Sequence, residues 1–375
     1  MVQNILFFDT SNQGHHFLYN KAVIKGLGKS GDINPFYYCP LQNVEQKAFH
    51  LNKTAIPKRI FKENSNLDRL FLLFSSLTWA KKNKISHIHL LYLDSLFLCF
   101  MILLPLLMIL NIKITATLHW LPQRKSKQFI LKSIVRLGLL KKIIVHGNYT
   151  KDRVIELIGY KNGNKVISII YPNLHPEKRL DMILLEKFNR RLEGIKKPIL
   201  LSFGGLRHDK GIDILLKSLS LVKGNFTLIV AGKEDYFSKE DIKNMINKYK
   251  LSDKVFTNIK FIPDEELPLY FNFTDIVVLP YRKYFSGQSG PLTEGVTRFK
   301  PIIGPNNGEI GYTIKNYKLG TTFEAENVID LSYCITDTIR NLEVLKKEIK
   351  INQYNYQSFL TVESFVKSYK KSLLN

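Results

Sequence analysis

The sequence predicts an α/β protein of two doubly wound domains, each a parallel sheet covered by helices on both faces. Its 375 residues exceed what one hydrophobic core of ordinary size organises. Short apolar runs alternate with amphipathic stretches along the whole chain, and strands separated by helical segments favour parallel pairing. The alternation is interrupted between Pro172 and Pro198 and then resumes, so we expect the hinge between the domains in that stretch.

The first half of the chain contains a series of predicted strands with helices between them. The apolar runs are short and bounded by polar residues, which is typical of strands buried on both faces of a parallel sheet. The predicted strands are Ile5–Phe8, Pro35–Tyr38, His87–Tyr92, Lys113–Leu118, Ile143–His146 and Val166–Ile170. The predicted helices include His16–Leu27, Lys127–Gly138 and Thr150–Ile158.

The second half repeats the same alternation. The predicted strands are Ile199–Phe203, Phe226–Ala231, Val255–Phe261, Ile276–Leu279 and Pro301–Ile303, and a helix is expected from Gly211. Open parallel sheets bind ligands beyond the carboxyl ends of their strands. The loops that follow these strands are therefore where we expect a functional site.

The turn after the strand Ile199–Phe203 is suited to binding phosphate. Gly204 and Gly205 let backbone N–H groups approach an anion closely, and the helix that follows offers free N–H groups at its start. Arg207 and Lys210 stand just before that helix, where both can meet phosphate oxygens.

A second glycine-rich turn lies in the stretch from Phe285 to Gly311. Its candidate binding positions are Ser286, Gly287, Gln288, Ser289, Gly290, Pro291 and Leu292. Glu294 follows one helical turn later, where a carboxylate can accept hydrogen bonds from sugar hydroxyls. Two such turns in one half of the chain indicate a single site for a nucleotide-diphosphate sugar, which we expect to face the cleft between the domains.

Positive charge is concentrated in the first half of the chain. The formal net charge is +23, of which residues 1–200, with 31 Lys or Arg and 12 Asp or Glu, contribute +19. Such a field attracts polyanions, either nucleic acid or an anionic membrane leaflet. The sequence has no zinc-finger spacing, basic leucine zipper or RNA-recognition consensus. It therefore favours an anionic membrane surface and no nucleic acid, with unspecific basicity as the alternative.

Two segments of the first half bear on membrane association. The stretch Leu96–Leu110 is the most apolar, but as a helix it would reach about 22 Å, short of the ~30 Å hydrocarbon core, and Pro105 interrupts it. A helix buried against the sheet is favoured there, with partial insertion in a leaflet as the alternative. From Arg124 to Arg153, nine Lys or Arg and one acidic residue are interleaved with apolar residues. This pattern is typical of a basic amphipathic helix on a leaflet, or of a domain helix with a solvated basic face.

Cysteine usage and the N-terminus favour a cytoplasmic protein. The three cysteines are too widely spaced for a metal site and odd in number, as expected of reduced, mostly buried thiols. The first apolar stretch is too short for a signal peptide and has no basic run before it. We therefore expect a cytoplasmic protein, peripheral on the inner face of the plasma membrane.

Several pieces of the chain, in this order and at these intervals, match one family. They are ITATLHW and IIVHGNYTKDRVIEL in the first half, and FGGLRHDKGIDILLKSL, VAGKED, FIPDEELPLYFNFTDIVVLPY and SGPLTEGVTRFKPIIGPNNGEIGYTI in the second. Over nearly its whole length the chain resembles the retaining glycosyltransferases of family 4, of the bacterial surface-polysaccharide type. These enzymes have the GT-B fold, two Rossmann-like domains facing across a cleft.

The resemblance implies a division of the chain and a closing helix. The acceptor-side domain would comprise residues 1–175, completed by a crossing helix within residues 355–375, and Val362–Leu374 is similar to that helix. The nucleotide-sugar-binding domain would comprise residues 176–354.

The resemblance also implies roles for individual residues. Lys210 matches the lysine that holds the donor diphosphate, and Glu294 matches the glutamate on the donor ribose. Ser286 stands where the family usually has a second glutamate near the transferred sugar. Gly205 replaces an arginine that often follows the turn glycine, a charge that Arg207 can supply from two positions on.

Three further positions resemble family segments around the cleft. Ile262 corresponds to the backbone segment that receives the nucleobase. Gly14 and His15, with His16, occupy the turn after the first strand, where the family has a glycine loop near the donor phosphates and acceptor. His119 is similar to a histidine at the cleft edge.

Transfer with retention of configuration is what the resemblance implies, with the departing diphosphate oxygen taking the proton of the acceptor. No pair of carboxylates at glycosidase spacing and no Asp-x-Asp triplet is found, so we expect no metal and no cofactor. The donor would be a nucleotide-diphosphate hexose, UDP-linked on family frequency, and the acceptor a lipid-linked saccharide or an oligosaccharide. The alternatives are a non-catalytic partner of another transferase and a nucleotide-sugar epimerase.

Overall fold

The computed structural model describes residues 2–40, 54–55, 65–174 and 182–374, and the chain divides into two compact units. Unit 1 comprises Met1–Leu174 and Thr361–Asn375, and unit 2 comprises His175–Leu360. The return to unit 1 lies later than residue 354, where the sequence-based domain boundary falls, because the helix Leu342–Leu360 continues unbroken to its end in unit 2.

Unit 1 is built on a parallel sheet of seven described strands in the order β3-β2-β1-β4-β5-β6-β7. The strands are β1 (Gln3–Phe8), β2 (Ile33–Tyr38), β3 (Thr54–Ala55), β4 (His87–Leu90), β5 (Lys113–Leu118), β6 (Leu140–His146) and β7 (Val166–Ile169). The order places β1 and β4 side by side at the centre, with β5 and β6 following β4.

The two faces of this sheet pack against different layers because side chains alternate along each strand. Leu6 and Phe8 of β1 belong to one hydrophobic cluster, which also contains residues of β4, β5 and the helices between Asn66 and Arg136. Ile5 and Phe7 belong to a second cluster on the other side of the sheet. Helices therefore cover both faces, as the continuous apolar runs predict.

Six described helices of unit 1 come before the chain enters unit 2. They are α1 (His15–Lys29), α2 (Asn66–Lys82), α3 (Phe97–Ile102), α4 (Leu104–Ile109), α5 (Lys125–Arg136) and α6 (Asn148–Ile158). Helix α2 begins after Ser65, whose hydroxyl accepts a hydrogen bond from the Asp68 N–H and so caps the helix.

The apolar segment Leu96–Leu110 is not the single buried helix that the sequence favours. It forms two short helices, α3 and α4. They are separated at Leu103, two residues before Pro105. Its apolar side chains are also only partly covered, and Leu98, Met101, Ile102, Met108 and Ile109 are exposed. Among the described residues, no helix is long and apolar enough to cross a membrane.

Unit 2 contains a parallel sheet of six described strands in the order β10-β9-β8-β11-β12-β13. They are β8 (Ile199–Phe203), β9 (Thr227–Ala231), β10 (Val255–Asn258), β11 (Ile276–Val278), β12 (Ile302–Pro305) and β13 (Gly320–Phe323). Strand β10 is shorter than the predicted Val255–Phe261, because the chain leaves the sheet after Asn258 and Phe261 is exposed.

The described helices of unit 2 cover both faces of its sheet. They are α7 (Met182–Arg191), α8 (Ile212–Leu219), α9 (Lys239–Lys248), α10 (Leu267–Phe273), α11 (Gly290–Thr297), α12 (Gly308–Tyr317), α13 (Val328–Arg340) and α14 (Leu342–Leu360). Leu215 and Leu219 of α8 pack with Leu200 of β8 and Ile335 of α13 in one buried cluster. This packing holds α8 against the sheet that contains β8, the strand that precedes it in the chain.

The last described helix, α15 (Val362–Leu374), packs against α1 in unit 1. The two helices approach closely at Gly26, where a Cβ would lie 2.3 Å from the Val366 side chain. Phe365, Tyr369 and Leu373 of α15 are buried in the core of unit 1.

Candidate functional site

The turn after β8 holds the Lys210 ammonium group directly over the backbone of Gly204. A Cβ built on Gly204, which has a φ of +111°, would lie 2.2 Å from Lys210 Nζ. The ammonium donates a hydrogen bond to the carbonyl oxygen of Phe203 at 3.3 Å and lies 5.7 Å from the centre of the Tyr281 ring. A positive charge therefore stands at the carboxyl end of β8, at the turn predicted to bind diphosphate.

The backbone of this turn also packs tightly against the turn after β9. The Gly204 N–H donates to the carbonyl oxygen of Ala231 at 2.8 Å, and a Cβ on Gly232 would lie 2.0 Å from the carbonyl oxygen of Gly204. By contrast, a Cβ on Gly205 would meet no atom closer than 3.9 Å. Backbone packing therefore excludes a side chain at 232, a side chain at 204 would meet the Lys210 ammonium, and the space beside Gly205 is open.

Arg207 is engaged within the turn rather than free for a phosphate. Its guanidinium makes two hydrogen bonds to the Asp209 carboxylate, Nε to Oδ1 at 2.9 Å and Nη2 to Oδ2 at 2.5 Å. These hydrogen bonds raise the pKa of Arg207 above its ordinary value. A phosphate at Arg207 would have to displace the Asp209 carboxylate or share the guanidinium with it.

Arg282 fastens the turn after β8 to the loop after β11, a role that the sequence does not reveal. Its Nη2 lies 2.6 Å from Asp213 Oδ2 at the start of α8, and its Nε donates to the carbonyl oxygen of His208 at 2.9 Å. A Cβ on Gly211 would lie 2.1 Å from the carbonyl oxygen of Pro280, so the two backbones touch. Because β8 and β11 are neighbours, both loops form one continuous edge.

Some hydrogen-bonding groups of the glycine-rich segment before α11 already have partners within unit 2. The Ser289 hydroxyl caps α11 by accepting from the Leu292 N–H at 3.4 Å, and it lies 3.2 Å from the Tyr281 hydroxyl. Pro291 has no N–H. Of the predicted amide donors, Pro291 and Leu292 are therefore excluded.

The loop after β12 contacts the same segment from the other side. A Cβ on Gly308 would lie 2.8 Å from the carbonyl oxygen of Phe285 and 3.4 Å from the Cα of Ser286. The Asn307 side-chain amide donates to the carbonyl oxygen of Lys283 at 2.8 Å, while its own carbonyl oxygen is buried and has no partner within the described part of the chain. Three loops, after β8, β11 and β12, are thus joined at the carboxyl edge of the sheet.

Glu294 lies inside α11, where Arg298 pairs with it one turn later. Its Oε2 is 2.5 Å from Arg298 Nη1, and the two side chains are only 4% and 9% exposed. The guanidinium also lies 5.9 Å from the centre of the Phe271 ring. The i, i+4 spacing of the pair is visible in the sequence, but its burial is not. The sequence interpretation missed Arg298.

Ile262 stands apart from these three loops in the strand order. It follows the end of β10 by four residues and is half-buried, and β10 is two strands away from β8. No described contact joins Ile262 to Lys210 or Glu294, so its predicted place beside a nucleobase stays a prediction.

In unit 1, His119 lies at the end of β5 within a group of aromatic rings. Its Nε2–H donates to the carbonyl oxygen of Leu91 at 3.0 Å, and its ring stacks on Tyr92 with centroids 3.9 Å apart. Desolvation lowers the pKa of His119 well below its ordinary value, and the nearby His146 adds to this effect. His119 is therefore neutral at pH 7, and Asp94 holds its loop by accepting from the N–H groups of His119 and Trp120.

Gly14 and His15 form the entrance to α1 after β1. Gly14 is the residue before the helix, has a φ of +53°, and has open space where a Cβ would be. His15 begins α1, but its side chain lies outside the described part of the structure.

Comparison with family models finds a match in the second half of the chain. Residues 185–357 match the family model of the glycosyl transferases group 1, a range that lies within unit 2 and includes all three loops. The matched range comprises most of unit 2. Lys210, Glu294 and the glycine-rich segments before α8 and α11 lie within the matched residues.

The chain is also similar to an uncharacterized glycosyltransferase of Methanocaldococcus jannaschii. The two are 26% identical over 233 residues, which cover 60% of this chain. The match spans 63% of the length of that relative.

Solved structures share the whole fold at low sequence identity. HepE of Anabaena, solved in complex with UDP, has a TM-score of 0.75 at 15% identity and covers 99% of this chain and 100% of its own. A glycosyltransferase from Rickettsia africae has a TM-score of 0.74 at 18% identity, covering 100% and 99%. The chain therefore has the two-domain α/β architecture of the GT-B fold, as the sequence predicts.

Proposed function

We propose that this protein is a glycosyltransferase that moves a hexose from a nucleoside-diphosphate donor, UDP-linked by preference, to a saccharide acceptor. The main support is that Tyr281 contacts both Lys210 and Ser289, one from each of the two glycine-rich turns predicted to bind the donor. Its ring lies 5.7 Å from Lys210 Nζ, and its hydroxyl lies 3.2 Å from Ser289 Oγ, the cap of the helix that contains Glu294. One diphosphate with its ribose is the ligand that this combination of ammonium, amides and carboxylate suits.

The roles in this proposal follow from charge and position. Lys210, together with the amides of Gly287, Gln288 and Gly290, would stabilise the negative charge that develops on the departing diphosphate. Glu294, held by Arg298, would accept hydrogen bonds from the ribose hydroxyls. The binding of UDP by HepE, whose structure is similar to that of this chain, supports the choice of nucleotide.

Binding and turnover test this proposal directly. Isothermal titration calorimetry should give a dissociation constant for UDP, and incubation with UDP-glucose should release UDP. We expect Lys210→Ala and Glu294→Ala each to abolish turnover, whereas the matched exposed variants Lys217→Ala and Glu240→Ala should behave as the wild type. Wild-type turnover in both site variants would contradict the proposal. Absence of any nucleotide binding to the wild type would instead favour the partner-subunit alternative, and interconversion of the donor without transfer would favour an epimerase.

We also propose that transfer proceeds with retention of anomeric configuration and without a metal. NMR of the first-formed product reports the configuration at the anomeric carbon, and an inverted product would contradict retention. Turnover in the presence of EDTA checks the second point, since a rate that collapses on chelation and recovers with added Mg²⁺ would contradict it.

For the acceptor we propose a lipid-linked saccharide reached from the cytoplasmic leaflet. The support is the surface formed by the neighbouring helices α2, α3, α4 and α5 of unit 1. Its exposed apolar residues are Leu67, Phe71, Phe74, Leu98, Met101, Ile102, Met108, Ile109 and Phe129. Arg124, Lys125 and Arg136 at the ends of α5 are exposed as well. Apolar side chains beside basic ones are what binds a protein peripherally to anionic lipid.

Vesicle sedimentation tests this surface. The protein should pellet with vesicles of phosphatidylcholine and phosphatidylglycerol and much less with pure phosphatidylcholine. Met108→Ser combined with Ile109→Ser should release it, whereas Tyr333→Ser, an exposed apolar change in unit 2, should not. Equal sedimentation with both kinds of vesicle would contradict the proposal.

A further inference from the structure

Three aromatic side chains from three different loops of unit 2 meet at the carboxyl edge of its sheet. His208 lies in the turn after β8, Tyr236 in the loop after β9 and Tyr284 in the loop after β11. The ring centroids of His208 and Tyr236 are 4.7 Å apart, and those of His208 and Tyr284 are 6.2 Å apart. We call these three residues the aromatic group. The donor contacts proposed for Lys210 and Glu294 do not use them.

Backbone hydrogen bonds hold the three loops to one another. The Leu206 N–H donates to the carbonyl oxygen of Lys233 at 2.9 Å, and the Phe237 N–H donates to that of Leu206 at 2.9 Å. On the other side of the turn, the Arg282 N–H donates to the carbonyl oxygen of Asp209 at 2.9 Å. The fold itself therefore sets the arrangement of the rings, and a ligand bound there does not have to order these loops.

His208 and Tyr284 form one flat surface. Their ring planes differ by only 14°, and Nδ1 of His208 lies 2.8 Å from the Tyr284 hydroxyl, within hydrogen-bond distance. Rings stacked face to face would be separated by about 3.5 Å, so these two rings meet edge to edge instead. Together they extend the aromatic surface beyond the area of one ring. Tyr236 is inclined at 61° to His208 and so stands at an angle to this surface.

The aromatic group is not part of the hydrophobic core. Tyr236 is 64% exposed and Tyr284 is 52% exposed, whereas Tyr270 and Tyr281 of the same unit are buried. Single exposed aromatic residues are common, but neighbouring ones from separate loops are typical of a surface that binds a ligand. Phenol and imidazole rings combine an apolar face with a polar edge, so they suit a ligand that has both.

The aromatic group is distinct from the predicted diphosphate contact, although both belong to one turn. His208 begins the 3₁₀ turn that Lys210 ends. The Lys210 ammonium is directed to the carbonyl oxygen of Phe203 at the end of β8, whereas the His208 ring is directed to Tyr236 and Tyr284. The turn therefore presents a cation at one place and an aromatic surface at another.

Charges around the aromatic group are balanced, which distinguishes it from a phosphate site. Arg207 is paired with Asp209, and Arg282 is paired with Glu326. Both pairs lie in electrostatic range of the Tyr284 hydroxyl. Partly exposed ion pairs offer hydrogen-bond donors and acceptors to a neutral ligand with many hydroxyl groups, and they give no net attraction to an anion.

We propose that His208, Tyr236 and Tyr284 bind a sugar residue of a saccharide chain, at a second site of unit 2 that is separate from the donor site. The C–H face of a pyranose ring is apolar and packs on a flat aromatic surface, while its hydroxyl groups hydrogen-bond to charged side chains at the border of that surface. The inference goes beyond the proposed function and does not depend on it, since binding at the aromatic group requires no transfer.

Saturation-transfer difference NMR tests this site with soluble oligosaccharides of defined structure. The probes are maltohexaose, cellopentaose and chitopentaose, each added to the full chain without nucleotide, and the C–H protons of at least one should receive saturation from the wild type. Tyr236→Ala and Tyr284→Ala should each weaken this binding at least about fivefold, because each removes one ring. Tyr236→Phe keeps the ring and should bind as the wild type does. Tyr333→Ala, at an exposed tyrosine on α13, is the matched control.

Circular dichroism checks that each variant is folded, and the dissociation constant for UDP should be the same in all of them. Absence of binding of all three probes to the wild type would overturn the proposal, as would wild-type binding in a variant that combines Tyr236→Ala with Tyr284→Ala. Loss of the sugar signals on addition of UDP would place the saccharide in the donor site and overturn it as well. Weaker sedimentation of the double variant with vesicles of phosphatidylcholine and phosphatidylglycerol would contradict a saccharide site and favour lipid. A wild type that binds a probe but no UDP would contradict the proposed function alone.

Discussion

Replacing Gly204 by alanine should weaken nucleotide binding while leaving unit 2 folded. The added Cβ would lie 2.2 Å from Lys210 Nζ. Because that atom is the end of a flexible side chain, the ammonium moves away and the turn keeps its path. The residue also has a φ of +111°, and placing a side chain in this region costs on the order of 1–2 kcal/mol of stability.

The expected loss of affinity follows from one displaced contact. A hydrogen bond to a charged group contributes about 1.5–3 kcal/mol. Its loss corresponds to a dissociation constant for UDP that is raised about 10- to 150-fold. Isothermal titration calorimetry at pH 7 measures this change, and circular dichroism checks that the fold is retained.

Gly224→Ala is the matched control, because Gly224 has a φ of +99° and no atom within 4 Å of its Cβ position. It incurs the same kind of backbone strain without touching Lys210, so UDP should bind as tightly as to the wild type. Adding Lys210→Ala to Gly204→Ala should cause little further loss, since both remove one interaction. Equal affinities in the Gly204 and Gly224 variants would refute the reasoning, as would fully additive losses in the double variant.

Three further outcomes follow from the described contacts. Arg298→Met removes one partner of the buried Glu294–Arg298 ion pair, which costs about 3–5 kcal/mol and should lower the thermal midpoint of unit 2 by about 6–20 °C, whereas the exposed Arg340→Met should change it little. A shift below about 3 °C by calorimetry would count against this. Burial lowers the pKa of His146 to about 4, so between pH 6.5 and 4 the unfolded chain binds a proton that the folded chain does not. Unit 1 should therefore lose stability as the pH falls through this window, and urea titrations of His146→Gln at pH 7 and 4.5 should show a smaller difference than the wild type. Gly232→Ala should destabilise unit 2 more than Gly224→Ala in the same titrations, because its Cβ would lie 2.0 Å from the Gly204 carbonyl oxygen.

The alternation of strands and helices was predictable because most strands are continuous apolar runs buried on both faces. Lys113–Leu118 and Ile199–Phe203 have the bounds expected from the sequence. Strand β13 was missed because GTTF is short and only its last residue is buried. Strand β10 was predicted too long, since the apolar Ile259 and Phe261 continue the pattern after the chain has left the sheet.

The candidate site was predictable only as far as single residues suggest chemistry. Lys210 and Glu294 were predicted from their glycine-rich surroundings, and the described contacts join Lys210 to Tyr281 and Tyr281 to Ser289, which caps the helix of Glu294. The partners that hold such side chains could not be found, because they come from distant segments. Arg282, for example, reaches Asp213 across 69 residues, and no local pattern indicates that pair.

The path of the chain through its two units determines when each can fold during synthesis. Unit 2 is one continuous segment, so it is available as a whole once residue 360 has left the ribosome. Unit 1 still lacks α15 at that moment, including Tyr369, whose hydroxyl bonds to His89 in its core at 2.7 Å. The domain that begins first is thus completed last, and a nascent chain that stops before residue 362 leaves uncovered the part of α1 that packs against α15.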